Sequence, residues 1–211
     1  MSLCTDLPPA CLAESARARI LDAAFAEMRL HGYQAASIAR ILASTGLTKG
    51  ALYHYFPSKK ALGLAVVDER VTAALAVSVL DGLQVAEDES DALGRLLAVL
   101  DRSACWEDAD LALGCPLNNL MQEMSPVDED FRRHLVAVME LWRQRLEALL
   151  RVAQTRGQVA PALDCAGTAL FILAAWEGAI SVAKSLRSTH VFAHAIEQLK
   201  AYVRHLAVAG V

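Results

Sequence analysis

Apolar residues recur every three or four positions along almost the whole chain, and no stretch alternates apolar and polar residues for long. Recurrence at this spacing places the apolar side chains on one face of an α-helix, whereas alternation would indicate a strand. In the first such segment the apolar positions are Ile20, Leu21, Ala24, Phe25 and Met28. The pattern therefore predicts an all-α fold, and we count nine helices.

Residues that favour helix ends set the expected boundaries. Ser15, Ser37, Thr48 and Ser58 each precede a periodic segment, and their side chains are suited to cap a helix N-terminus. The first four predicted helices span residues 15–32, 37–43, 48–55 and 58–80. The other five span residues 90–105, 117–124, 125–157, 164–186 and 191–207. The predicted helix 90–105 follows an acidic loop, and the predicted helix 125–157 is expected to start at Ser125.

Two units are expected from this order. Residues 1–14 are predicted to form a flexible arm, residues 15–62 a helix-turn-helix domain and residues 63–211 a second helical domain. Residues 63–81, the later part of the fourth helix, would link the two.

Charge is distributed unevenly between these units. The formal net charge of the chain is -4, yet residues 28–67 contain no Asp or Glu. The basic residues of that segment are Arg29, Arg40, Lys49, Lys59 and Lys60. A segment of this length without acids suits a surface that binds a polyanion, although chance remains the alternative at this composition.

A helix, a glycine-centred turn and a second helix follow one another between Ser37 and Phe56, in the order of a helix-turn-helix. Gly46 lies where the tight turn needs a permissive backbone. Apolar residues lie where the two helices would touch, at Ile38, Ile41, Leu42, Leu47, Leu52 and Tyr55. The second helix of such a motif enters the major groove of DNA with its N-terminal residues leading.

The runs RARILDAAFAEMRLHGYQAASIA and IARILASTGLTKGALYHYFPSKKAL, within residues 17–66, closely resemble the N-terminal signature of TetR-family transcriptional regulators. Leu42 and Ala36 depart from the usual motif. The resemblance implies a three-helix DNA-binding domain followed by a helical bundle that binds a small-molecule effector. It also implies a homodimer held by helices 164–186 and 191–207, a near-palindromic double-stranded operator, and repression relieved by the effector.

The expected DNA-binding residues follow from chemistry and from this resemblance. Thr48 would cap the recognition helix, and Lys49 would stand at its positive dipole end, where anions are favoured. Gly50 would allow close approach of DNA, and Tyr53 would donate to a phosphate oxygen. The full expected set is Ser37, Thr48, Lys49, Gly50, Tyr53, His54 and Lys59.

The second unit offers apolar and aromatic residues with a few polar ones among them, which is the composition of a small-molecule site. The candidate ligand-binding residues are Leu97, Leu100, Trp106, Cys115, Asn118, Met121, Phe131, Leu135, Trp142, Phe171 and Glu177. Taken one at a time, most of them are equally well explained as core.

Cys115 suggests an alternative signal. Gly114 and Pro116 interrupt the helical pattern beside it, which would expose the thiol at the start of a new helix and lower its pKa. Some TetR-family regulators that resemble the chain here sense electrophiles or oxidants through a cysteine, so a covalent signal at Cys115 stays open. Cys105 and Cys165, within helical patterns, are expected to be shielded.

Other classes of protein fit less well. The five cysteines are odd in number and form no C-x-x-C pair, so free thiols are expected. His190 and His194 are four residues apart, but no third ligand accompanies them, and neither a metal nor a cofactor is expected. Without a signal sequence or an apolar run of membrane length, a cytoplasmic protein is expected, with no membrane partner. A helical enzyme or carrier for a hydrophobic molecule remains the distant alternative.

Overall fold

A computed structural model describes residues 9–85 and 89–208 of the 211-residue chain, with the backbone alone for residues 9–15. The all-α prediction is confirmed, because the described residues hold helices and one isolated β-bridge between Val159 and Ala207. The helices are α1 (Pro9–Ala35), α2 (Ile38–Thr45), α3 (Lys49–Tyr55), α4 (59–80), α5 (Ala92–Ser103), α6 (Asp108–Leu113), α7 (Pro116–Met124), α8 (Glu129–Thr155), α9 (Cys165–Leu186) and α10 (Thr189–His205).

Helix α4 is irregular. It starts as an α-helix, Lys59–Ala65, and then widens into two π-helical segments, Val66–Val71 and Ala76–Leu80, on either side of the α-helical turn Thr72–Leu75. Such i→i+5 segments are rare and often lie at functional sites. The apolar pattern along the chain predicted the helix but contained no sign of this widening.

The caps of the second, third and fourth helices form as predicted. The side chains of Ser37, Thr48 and Ser58 accept hydrogen bonds from the backbone N–H three residues later, at 3.4, 3.2 and 3.0 Å. Gly46 ends α2 with a left-handed φ of 66°, a conformation that glycine adopts without steric cost. The turn of the helix-turn-helix is therefore built by the residues that predicted it.

Two predicted helix starts were wrong. Helix α1 begins at Pro9, not at Ser15, and Pro is favoured at a first helical position because it has no N–H to satisfy. Residues 1–8 of the predicted arm lie outside the described residues. Helix α8 begins after Asp128, whose carboxylate caps it, whereas Ser125 ends α7.

A short helix was also missed, since α6 precedes the turn at Gly114 where the pattern had indicated only an interrupted segment.

The core of the second unit lies where α9 packs between α8 and α10. Trp142 of α8 and Trp176 of α9 are both buried, with their rings edge to face at a centroid distance of 5.3 Å. Among the described residues, α9 is the one helix long and apolar enough to cross a membrane by composition alone. A core helix meets the same criterion, and α9 is packed as one.

Candidate DNA interface and ligand cavity

The N-terminus of α3 forms an exposed tip. Thr48 caps it, and Lys49, Gly50, Tyr53 and His54 are all exposed on the same short helix. The ammonium of Lys49 lies 5.9 Å from the centre of the Tyr53 ring, which places a cation and a phenol side by side. A cationic donor and a neutral donor on a helix tip with free N–H groups are suited to phosphate oxygens.

Gly50 leaves this tip uncrowded. A Cβ at this position would meet only the Thr48 hydroxyl oxygen, 3.9 Å away. The protein itself therefore does not require glycine here, which fits a close approach by a partner as the reason for its presence.

Ser37 is held in place by its neighbours on α1 and α2. Its backbone N–H donates to Glu27 at 2.9 Å, and the same carboxylate accepts from Arg40 Nε at 2.7 Å. The Arg40 guanidinium keeps the pKa of the buried Glu27 carboxyl below its usual range, even though burial opposes this. Part of the basic charge predicted for the DNA-facing surface is thus used inside the fold.

Two further basic residues of the acid-free segment, Lys59 and Lys60, also have partners within the protein. Lys60 contacts two carboxylates at the start of α8, Asp128 at 2.8 Å and Asp130 at 2.7 Å. Lys59 donates to the Gln34 carbonyl at 2.9 Å and lies 4.9 Å from the centre of the Tyr33 ring. The acid-free segment therefore does not form a uniformly basic surface, because Asp128 and Asp130 from α8 and its N-cap pair with Lys60.

We call the DNA-reading unit α1–α3 the head. Close contacts, which form the head junction, connect it to the rest of the chain. The Glu123 carboxylate near the end of α7 accepts from the backbone N–H groups of Tyr33 and Gln34, at 2.8 and 2.7 Å. The Tyr33 ring also packs on Phe131 of α8, at a centroid distance of 4.4 Å. The orientation of the head is thereby tied to α7 and α8.

A cavity of about 260 Å³ lies between the head and the bundle. Its lining includes Phe25 and Arg29 from α1, four residues of the 74–79 stretch of α4 (Ala74, Leu75, Ser78 and Val79), Trp142 from α8, and Trp176 and Ile180 from α9. All three tryptophans of the chain line it, since Trp106 completes the set. Its walls are thus mainly apolar and aromatic, as in sites for small organic molecules.

Only part of the predicted ligand set faces this cavity. Trp106, Cys115 and Trp142 line it. Asn118 lies in a neighbouring groove and donates to the Ser181 hydroxyl at 2.8 Å. The other predicted residues contribute to the core or are half-buried outside the cavity lining, namely Leu97, Leu100, Met121, Phe131, Leu135 and Glu177.

Phe171 was wrongly placed by the sequence pattern. Its side chain is on the outside of α9, 51% exposed, with its ring 4.8 Å from that of Tyr202 on α10. Apolar residues occur on all sides of α9, so its sequence does not distinguish the inward from the outward face.

Cys115 is buried, contrary to the expectation from its neighbours. Gly114, with φ 70°, turns the chain so that Cys115 enters the core with 3% exposure. Burial raises the pKa of its thiol well above the ordinary value of 9.0, and the Glu177 carboxylate beside it acts in the same direction. The amides at the start of α7 lower the pKa as expected, but their effect is smaller.

Cys105, expected to be shielded, is exposed and lines the cavity. Arg29 and Trp176 are further lining residues that sequence reasoning missed. The charge of Arg29 in an otherwise apolar helix face was the available signal, but its position near the bundle depends on packing across the junction.

Comparisons with known proteins agree with this architecture. The model of bacterial regulatory proteins, tetR family, matches residues 20–66, and that of the Tetracyclin repressor-like C-terminal domain matches residues 92–199. Over 155 residues the chain is 35% identical to the transcriptional regulator AcuR of Cereibacter sphaeroides, covering 72% of this chain and 69% of AcuR. Over 149 residues it is 30% identical to the transcriptional repressor DhaR of Mycobacterium sp. (strain GP1), covering 71% and 72% respectively.

A solved TetR transcriptional regulator from Chloroflexus aurantiacus superposes with a TM-score of 0.80 at 28% identity, covering 93% of this chain and 98% of that one. These relatives are DNA-binding transcriptional regulators and not enzymes, which removes the enzyme alternative. By the family models, the identities and the shared fold, the chain belongs to the TetR family of transcriptional regulators.

Proposed function

We propose that this regulator is a cytoplasmic repressor, with no membrane partner, that binds a near-palindromic operator as a homodimer and is released from it by a small-molecule effector. The observation that carries the proposal is the position of the cavity, whose wall includes both α1 of the head and residues 74–79 of α4. A ligand there would contact the element that follows the recognition helix as well as the bundle. DhaR, one of the relatives, is named a repressor.

The DNA-reading residues in this proposal are Ser37, Thr48, Lys49, Gly50, Tyr53, His54 and Lys59. Residues 15–62 would read DNA and contribute Phe25 and Arg29 of α1 to the effector cavity. Residues 63–211 would form the rest of that cavity and bind the second subunit. In the bound dimer the two recognition helices would lie about one DNA turn, ~34–36 Å, apart.

The dimer would form through the outer faces of α9 and α10. Leu170, Phe171, Val182 and Leu186 of α9 are large apolar side chains that stay exposed in the single chain. An exposed apolar stripe of this size on a monomer marks an interaction surface, and dimers are typical of the family. The two-fold symmetry of the dimer would then account for a near-palindromic operator.

The test is binding to an operator selected from a random duplex library by the full-length protein. Lys49→Ala is expected to weaken binding and to reduce the salt dependence by about one phosphate contact, while Tyr53→Phe should cost about 1 kcal/mol. Arg156→Ala is the charge-matched control, because Arg156 is exposed at the opposite end of α8 from the head junction. Wild-type affinity of both head variants at matched salt would contradict the proposed interface.

The alternative of covalent sensing at Cys115 is less well supported than a noncovalent effector. It required an exposed thiol with a lowered pKa, and the thiol is buried with a raised pKa. A noncovalent effector in the cavity is therefore the better supported signal.

A further inference from the structure

Within the part of the chain that the structure describes, two hydrogen-bond donors in the wall of the cavity have no partner. They are Arg29 Nε of α1 and Trp142 Nε1 of α8, and both atoms are buried. Trp142 as a whole is 1% exposed. Because buried polar groups in folded proteins are nearly always paired, each unpaired donor calls for an explanation. Two of them on one cavity indicate that the occupant supplies acceptors.

Among the described residues, the other polar groups of the lining do not accept a hydrogen bond from Arg29 Nε or Trp142 Nε1. The Ser103 hydroxyl donates to the Leu100 carbonyl at 2.7 Å. Asp110 is the one carboxylate among the described lining residues, and its side chain is 61% exposed. It approaches Arg29 through Nη2 at 3.8 Å rather than through Nε. An exposed ion pair at this distance is weak. The guanidinium therefore remains available to a better acceptor inside the cavity.

We propose that the cavity binds a small organic carboxylate with a short apolar or single-ring tail, held by Arg29 and by the Trp142 N–H. This inference rests on the proposed function, since it assigns a chemical class to the effector. A carboxylate offers two acceptor oxygens to a guanidinium and an indole N–H, and hydrogen bonds between ionised groups are the strong ones. At about 260 Å³ the cavity lies at the lower end of ligand pockets, which limits the tail.

The position of Arg29 gives the carboxylate a direct link to the head. Arg29 belongs to α1, whereas Trp142 belongs to α8. A ligand bound by both residues joins the DNA-reading unit to the bundle. The remaining contacts, made by the apolar tail with Trp106, Trp176 and the 74–79 stretch of α4, lie on elements that do not bind the carboxylate.

Calorimetric titration of the DNA-free protein tests the chemical class. The probes are butanoate, hexanoate and benzoate, each beside its amide and the amine of equal size. At least one carboxylate is expected to bind roughly tenfold or more tightly than its amide and its amine, the margin of a charge-assisted hydrogen bond. Because all three tryptophans line the cavity, intrinsic fluorescence provides a second readout.

Two variants test the residues. Trp142→Phe removes the N–H while keeping an aromatic ring, and Arg29→Gln removes the charge. Each variant should reduce the preference for carboxylate over amide, with Arg156→Gln as control.

Equal binding of amide and carboxylate, stronger binding of amines, no binding of any carboxylate, or an unchanged preference in both variants would overturn the proposal. The preference of the wild type for carboxylate over amide can be measured even if a variant fails to fold. If a neutral compound releases operator DNA while carboxylates do not bind, the chemical class fails but the proposed function stands.

Discussion

The carboxyl group of Glu177 affects how the free energy of unfolding of the whole protein changes with pH. Both of its oxygens are buried, and burial raises its pKa to about 7 from an ordinary 4.5. The Cys115 thiol beside it lowers the pKa slightly. Because the folded state holds this proton more tightly than the unfolded state, the free energy of unfolding should fall as pH rises from about 4.5 to about 7.

Replacing the carboxyl should remove this penalty. Glu177→Gln is expected to raise the free energy of unfolding at pH 8 by up to about 3 kcal/mol, because each tenfold difference in proton affinity between the folded and unfolded states corresponds to about 1.4 kcal/mol. At pH 4.5 and below, the variant and the wild type should differ little. Urea unfolding between pH 5 and pH 8 is the measurement, with the exposed Glu107→Gln as control. Parallel curves for wild type and Glu177→Gln would refute the burial penalty.

The cysteines give a second prediction at the scale of residues. Cys105 is exposed, whereas Cys115 and Cys165 are buried and burial raises the pKa of both thiols. Since the thiolate is the reactive form, brief alkylation of the native protein should modify Cys105 before Cys115 and Cys165. Mass spectrometry of tryptic peptides measures the order, and addition of urea should make all three react. Rapid native labelling of Cys115 would restore it as a candidate sensor.

At the scale of elements, α7 connects the cavity to the head. Pro116 at its first residue lines the cavity, and Glu123 near its last holds the backbone of α1 through two amide hydrogen bonds. A shift of this short helix would therefore displace the end of α1. The second π-helical segment of α4, Ala76–Leu80, also reaches the same cavity, since Ser78 and Val79 line it.

Glu123→Ala should loosen this connection. It leaves the amides of Tyr33 and Gln34 without their acceptor, at a cost of about 1–3 kcal/mol in unfolding free energy. Gln122→Ala, exposed on the same helix, is the matched control. Thermal melting measures stability, and hydrogen exchange at residues 33–34 should rise selectively in Glu123→Ala. Unchanged exchange there would mean that the Glu123 carboxylate does not hold the end of α1.

At the scale of the whole molecule, the proposed dimer surface is the outer face of α9. Gly178 lies on this face, and a Cβ there would meet no atom of the same chain within 4 Å. Gly178→Glu should therefore leave the monomer folded, and helix propensity even favours the change. A charge at the centre of the proposed dimer surface should nevertheless prevent association.

Sedimentation at micromolar concentration tests this expectation. Gly178→Glu should sediment as a monomer with wild-type helix content, and its affinity for a full operator should drop. Val77→Glu, placed on a residue of α4 that is 84% exposed, is the control for an added surface charge. A Gly178→Glu dimer indistinguishable from wild type would remove α9 from the interface.

The sequence by itself determined the features that depend on neighbours along the chain. Helical periodicity predicted the all-α fold, and Ser37, Gly46 and Thr48 set the caps and the turn of the helix-turn-helix, because capping and turn geometry are decided within a few residues. The motif around Thr48–Tyr53 also identified the family. The starts of α1 and α8 were harder, because several suitable cap residues lie close together there.

Only the tertiary structure decided which side chains meet. Asp128 and Asp130 pair with Lys60, Glu177 and burial together raise the pKa of Cys115, and Arg29 reaches a cavity of the bundle. Each of these contacts joins segments dozens of residues apart, so local propensity carries no information about them. The exposed Phe171 shows the same limit, since a helix apolar on all sides has an outward face only once its neighbours are packed.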